Sequence, residues 1–295
     1  MKRFIISIIV LISSVSCQYV WAQEAPKHEF SVYNALGLSS LRYHLSQGDR
    51  SGGFGGDFGV GYTWYRTNVR VTGTGKVFYE QWGIFTGLGL GLYNAKAKLN
   101  EVKKVTEDMV DSENDPFVLN TTLKGYKETQ KTTYLNIPVM AQFQIERYYI
   151  LTGLKFGIPL GGKYKSKDAT VTNIAYYPGY DPDYISPIQG PRTQGLGVFP
   201  DKDSDGKLKF GVALMLSLEG GVNWRINKNF SLYSGMYFDI GLNNNFKDKK
   251  LPFVEFDYNA AEVSSRFTTN SVLNSFTEKV NIMAVGVKVR LAYVR

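Results

Sequence analysis

A two-residue alternation that restarts along the chain constrains the fold more than any other feature. From Phe54 the even positions include Phe54, Phe58, Val60, Tyr62 and Trp64, while the odd positions read Gly53, Gly55, Asp57, Gly59, Gly61 and Thr63. The pattern returns at Trp82, Ile84, Leu88, Leu90 and Leu92 against Gly83, Gly87, Gly89 and Gly91. A strand sends successive side chains to opposite faces, so each segment has one apolar face and one small or polar face. The glycine-rich face suits the inside of a narrow barrel. With an export leader, the pattern predicts a transmembrane β-barrel.

The leader begins with Lys2 and Arg3, continues through an apolar run over 4–15 and ends on Val20-Trp21-Ala22. This order is that of a signal peptide over 1–22, cleaved after Ala22, with a mature barrel domain over 23–295. The apolar run falls short of the about 20 residues that a spanning helix needs. Cys17 opens an alternative, acylation as a lipoprotein, although Ser14 stands three positions before it where leucine is usual. Cleavage after Ala22 removes the only cysteine, leaving neither disulfides nor thiol chemistry. The formal charge of +8 stays positive without Lys2 and Arg3. It reads as a lysine-rich surface and lumen rather than a nucleic-acid site, and it is compatible with anionic lipid headgroups or acidic glycans. The mean hydropathy of −0.20 fits a barrel, where only alternate strand residues meet lipid and the loops are polar.

Eight segments carry the alternation: 29–43, 54–65, 82–93, 134–144, 149–160, 208–224, 230–242 and 280–293. Each reaches the about 9–11 residues that cross a bilayer at a tilt. Links 146–148 and 225–229 match periplasmic turns, whereas 94–131, 161–207 and 243–279 match the longer extracellular loops. Link 66–81 is long for a periplasmic turn, and its halves flank Gly73-Thr74-Gly75 like a hairpin. The fold class is therefore all-β, an eight-stranded antiparallel transmembrane up-and-down β-barrel, with ten strands as the alternative. Trp64, Tyr65, Tyr79, Trp82, Tyr148, Tyr149, Trp224, Phe230 and Tyr293 cluster at strand ends, as in interfacial girdles.

Tyr134-Leu135-Asn136-Ile137-Pro138-Val139 resembles the Y-L-x-I-P-L segment of the PorT-like outer-membrane β-barrel family common in Bacteroidetes. Residues 153–160 and the closing Val285-Gly286-Val287-Lys288-Val289-Arg290-Leu291 are similar to that family's framework strands. The resemblance spans the mature chain and implies an eight-stranded barrel in an outer membrane, with no defined activity. The long loops and the ending Tyr293-Val294-Arg295, without a terminal aromatic, depart from it.

Inward positions hold Asp57, Lys155, Glu219, Asp239, Lys288 and Arg290 on five strands. Charges in a narrow lumen must pair, and the order of the strands suggests Asp239 with Lys288 or Arg290. The expectation is a structural plug, with a gated ion path as its alternative. Asp201-Lys202-Asp203-Ser204-Asp205-Gly206 matches the opening of a calcium loop, but Val212 occupies the position of the closing carboxylate. Tyr176, Tyr177, Tyr180 and Tyr184 give the same extracellular segment a recognition surface. His44-Leu45-Ser46 is similar to the His-x-Ser pair of outer-membrane lipid A deacylases, without the sequence around it or an identifiable acid. No catalytic residues are assigned.

The function expected is that of a non-enzymatic barrel in the bacterial outer membrane, displaying surface loops as an accessory of an envelope or secretion complex. A rim-active lipid hydrolase and a small passive channel are the alternatives. The partners expected are outer-membrane lipid and an envelope protein, with no nucleic acid and no cofactor beyond the calcium candidate.

Overall fold

The computed structural model describes residues 22–23, 27–45, 48–71, 77–110, 114–177, 196–247, 250–256 and 267–295. The leader over 1–21, including Cys17, lies outside them, as do Ser46, Tyr180 and Tyr184.

The strands are β1 (Ala22–Gln23), β2 (Lys27–Arg42), β3 (Asp49–Val71), β4 (Val77–Val110), β5 (Pro116–Ile145) and β6 (Tyr148–Tyr176). They continue as β7 (Gly197–Lys207), β8 (Ala213–Arg225), β9 (Phe230–Gly241), β10 (Val254–Phe256), β11 (Phe267–Thr269) and β12 (Asn281–Val294). One helical turn, α1 (Val272–Phe276), precedes β12. Eight strands, in the order β2-β3-β4-β5-β6-β8-β9-β12, pair antiparallel, and β12 closes on β2 from Asn281↔Arg42 to Val294↔Glu29. Closure leaves no free edge in the ring, which lipid demands because it offers backbone groups no partner.

Strand count resolves to eight. Link 66–81 is a hairpin, as its sequence suggested, but its arms are the ends of β3 and β4, paired from Arg66↔Trp82 to Val71↔Val77. The sixth ring position is shared by two pieces running in one direction. Strand β8 lies against the lower part of β6, and β7 lies against its upper part, with a break at 208–212. Phe210, within the segment 208–224 read as one continuous strand, turns inward at this break and is 7 % exposed, stacked edge-on to Phe246.

Within the ring the expected faces hold. Leu38, Phe54, Phe58, Val60, Leu88, Leu154, Leu218, Met236 and Val287 all face outward. Glycine on the inner face serves close packing: a Cβ on Gly61 would collide with the Phe85 ring, and one on Gly89 with the Tyr33 hydroxyl. An aromatic girdle marks the end where the chain turns at 146–147 and 226–229. It includes Trp82, Tyr148, Trp224, Phe230 and Tyr293, and Trp64 packs edge-on to Trp82 at 5.7 Å. Tyr65 and Tyr149 do not join it, because their side chains are buried inside the ring.

The far end departs most from expectation. Segments 94–131 and 161–207, read as loops, are largely strand: β4, β5 and β6 contain 34, 30 and 29 residues. Above the membrane they form a tall curved wall, on the order of 60 Å of chain beyond Leu92 at about 3.3 Å per residue. The wall keeps the strand alternation but reverses its sense. Ala95, Ala97 and Leu99 face inward, while Lys96 and Lys98 face out.

Candidate functional site

Two candidate regions follow from this frame, the lumen and the hollow of the wall above it. The lumen holds Asp57, Lys155, Glu219, Asp239, Lys288 and Arg290, all at most 8 % exposed, so every inward assignment is met. Their pairing differs from expectation. Lys155 donates to Asp239 at 2.7 Å and to Asp57 at 3.2 Å, Lys288 donates to Glu219 at 2.6 Å, and Arg290 faces Glu29 at 3.7 Å. Asp239 thus pairs with neither Lys288 nor Arg290. Register is the reason: Asp239 lies opposite Ala284, four residues along β12 from Lys288.

These groups form three layers along the bore. In the upper layer, the Asn136 amide donates to Asp57 and to the Tyr93 hydroxyl, each at 3.0 Å, and Ser217 donates to Asp239 at 2.6 Å. In the middle layer, Tyr149 donates to Glu219 at 3.0 Å, and the Lys288 ammonium sits 4.4 Å from the Tyr33 ring centre. In the lower layer, Tyr233 donates to Glu29 at 2.8 Å, Arg290 donates to Gln142 at 3.1 Å, and its guanidinium lies 3.9 Å from the Tyr233 ring. Glu29 was not anticipated because it opens its strand, where a carboxylate reads as a solvated end.

The wall's hollow is filled by the chain between β9 and β12, a segment read from sequence as a free extracellular loop. Phe246, Phe253, Val254, Val272, Leu273 and Val280 are buried in one apolar cluster with Leu41, Leu99, Leu123, Tyr126, Val171, Phe199 and Leu208. Glu128 on β5 anchors this cap. It accepts from Ser271 at 2.5 Å, from the Val272 backbone amide at 2.9 Å, from Tyr126 at 2.5 Å and from Gln130 at 2.8 Å. Burial pushes the Glu128 carboxyl above its ordinary value, against the pull of the Ser271, Tyr126, Val272 and Gln130 hydrogen bonds. A second tie runs from the Tyr164 hydroxyl to the Thr269 carbonyl at 3.0 Å, and burial pushes that phenol up to about 12. The sequence signal for the cap was its apolar content, Phe253-Val254 and Val272-Leu273, which a solvated loop would not carry.

Among the described residues the remaining candidates are not brought together. Asp201, Asp203 and Asp205 lie in β7, with Asp205 paired opposite Lys165 and Gly206 opposite Tyr164, so no calcium-loop turn forms at the glycine. Alternate residues of a strand stand about 6.6 Å apart, so Asp203 and Asp205 are spread along the strand instead of converging, and the Asp201 side chain lies outside the described residues. No group of three or more metal-ligating side chains occurs among the described residues. Tyr176 ends β6 and is exposed, and Tyr177 stacks on Phe117 with ring centres 5.3 Å apart. His44 is exposed at the rim. His28, at the opposite end of β2, lies 2.6 Å from the Tyr62 hydroxyl.

A closed eight-stranded ring with an apolar outer belt, one aromatic girdle and a salt-bridged bore defines the chain as a transmembrane β-barrel. Over residues 21–247 it matches the family model for the outer membrane protein beta-barrel domain, and the chain belongs to that family. It is accordingly a protein of the bacterial outer membrane. Comparison with curated proteins finds no match.

Proposed function

We propose that this barrel is a non-enzymatic anchor that holds a rigid extracellular wall at the cell surface, where the wall serves as a docking element for an envelope complex. The observation that carries this reading is the investment in structure above the membrane. Three strands run far past the about 9–11 residues needed to span, and a folded cap makes the hollow of the wall solid. Both the bore and its mouth are occupied by packed side chains, which favours a support over a conduit.

In vivo crosslinking of outer membranes, followed by capture of the tagged barrel, tests the reading. A chain in which the β4–β5 hairpin is shortened by removing 103–118 should insert normally and show heat-modifiable gel mobility, but lose the crosslinked protein partners. Retention of the same partners, or hydrolysis of outer-membrane lipid by the purified wild type, would refute it.

A further inference from the structure

The outer surface of the wall, just above the lipid belt, carries lysines in an arrangement that a solvated sheet avoids. Lys98, Lys127 and Lys167 lie directly abreast on β4, β5 and β6, and Lys131, Lys163 and Lys207 lie abreast on β5, β6 and β7. All six are exposed and share the outward face. Like charges directly opposite one another across a ladder destabilise a sheet. Five of the six, all but Lys207, line a shallow depression of about 870 Å³. Among the described residues, the only ion pair these six make is that of Lys127 with Asp168 at 2.9 Å. Asp49, which lies directly abreast of Lys98, and Glu128, Asp168 and Asp205 also border the depression, against seven lysines, leaving cations in excess.

Height selects the ligand. Lys131 follows Leu135, and Lys163 follows the exposed Leu160, on faces that meet acyl chains lower down. Three or four residues of strand at about 3.4 Å each, tilted by about 40°, raise these lysines roughly 8–10 Å above the last apolar contact. A bilayer of about 40–45 Å with a hydrocarbon core of about 30 Å has a headgroup layer of about 5–8 Å per leaflet, so Lys131 and Lys163 stand at its outer edge, while Lys98, Lys127 and Lys167, six to eight residues past the last outward apolar side chain, stand roughly 16–21 Å above the belt. Lysine stems can lie along apolar surface while their ammonium groups stay at this level.

We propose that the two lysine triplets form a binding surface for the phosphorylated glycolipid of the outer leaflet, the lower triplet receiving a phosphate at the membrane surface and the upper one a phosphate farther out on the sugar headgroup. The anion removes the cross-strand repulsion that the bare wall carries. Bound lipid then fixes the height and tilt of the wall relative to the membrane. The surface is separate from the cap and from the lumen, and it does not depend on the identity of any protein partner.

The test uses the full mature barrel in detergent micelles and native mass spectrometry. Its probes are diphosphorylated lipid A, the same lipid without phosphates, and inorganic phosphate. Wild type should retain the diphosphorylated lipid. The variants Lys98→Gln/Lys127→Gln/Lys167→Gln and Lys131→Gln/Lys163→Gln/Lys207→Gln should each retain it roughly 10- to 100-fold more weakly, given a few-fold per lysine near an anionic surface. Lys228→Gln at the periplasmic turn should bind as wild type does. Without lipid, the triplet variants should melt at or above the wild-type temperature, and the phosphorylated lipid should raise the wild-type midpoint more than theirs.

Equal retention of the dephosphorylated lipid, or undiminished binding by both triplet variants, would overturn the proposal. Inorganic phosphate that binds these lysines and is not displaced by lipid would overturn the assignment to lipid. A triplet variant that fails to assemble would overturn the repulsion on which the argument rests, since only exposed, mutually repelling charges are removed.

Discussion

Lys155→Met offers the most direct measure of what the lumen layers contribute. The Lys155 side chain is 7 % exposed and bridges Asp239 at 2.7 Å and Asp57 at 3.2 Å, carboxylates that are themselves 1 % and 5 % exposed. Methionine preserves most of the volume, so the loss is chiefly electrostatic. Breaking one buried pair costs about 3–5 kcal/mol, and two stranded carboxylates place this variant near the top of that range. Asp239→Asn should cost less, because Lys155 keeps Asp57. The triple variant Lys155→Met/Asp57→Asn/Asp239→Asn should recover most of the loss, since replacing a whole buried ionic set is often close to neutral. Equilibrium urea unfolding in phospholipid vesicles, followed by tryptophan emission and heat-modifiable gel mobility, reads all three. A Lys155→Met midpoint indistinguishable from wild type, or a triple variant as unstable as the single one, would show that the layer does not act as a coupled buried charge set.

Further expectations concern closure, acidity and packing. Wild type in planar bilayers should pass no steady current, and deleting cap residues 248–276 should leave it closed because the three charged layers remain. Sustained wild-type channels would refute the plug. For the cap, the raised Glu128 value means that the docked form binds a proton more readily than the undocked one. Docking should therefore weaken as pH rises through the raised value and strengthen as pH falls back below it, as read by hydrogen exchange at residues 272–276 after correction for intrinsic rates. Glu128→Gln should flatten that dependence, and protection that grows with pH would contradict the sign. Gly61→Val should cost about 1–3 kcal/mol through collision with the Phe85 ring, seen as a lower urea midpoint, whereas an unchanged midpoint would mean that the ring has room to move.

The half of the fold inside the membrane was legible because lipid imposes one rule on every strand, apolar outward. Segments at 82–93 and 134–144 carry that rule without exception among their exposed large hydrophobics. The wall escaped because the rule inverts where water replaces lipid. On β4 the outward sequence passes from Leu88 and Leu92 to Lys96 and Lys98, while the inward one passes from Gly89 and Gly91 to Ala95, Ala97 and Leu99. Near that crossover the two faces hardly differ in polarity, so periodicity fades and a loop is the natural reading. The alternation resumes in opposite phase a few residues later, and that phase change is the signature of a strand leaving a bilayer.

The lumen residues were legible one by one, yet their partners were not, and the register shows why. No buried cation of the bore lies directly opposite its carboxylate on a neighbouring strand. Lys288 faces Ala35 and Gly235, Asp57 faces Ala35 and Gly91, and Asp239 faces Ala284 and Ser217. Small neighbours flank Asp57, Asp239 and Lys288, whereas Lys155 faces Pro138 and Met215, Glu219 faces Leu151 and Tyr237, and Arg290 faces Tyr33 and Tyr233. Lys155 on β6 reaches Asp57 on β3, three ring positions away, as well as Asp239 two positions away in the other direction. A cation held between opposite walls ties together strands that share no hydrogen bonds. In an eight-stranded ring, whose interior is just wide enough for side chains to meet, this resists collapse of the cross-section in a way that ladder bonds alone do not. Strand adjacency holds for Arg290 with Glu29 but not for Lys155 or Lys288, so it is a poor guide to pairing in such a bore.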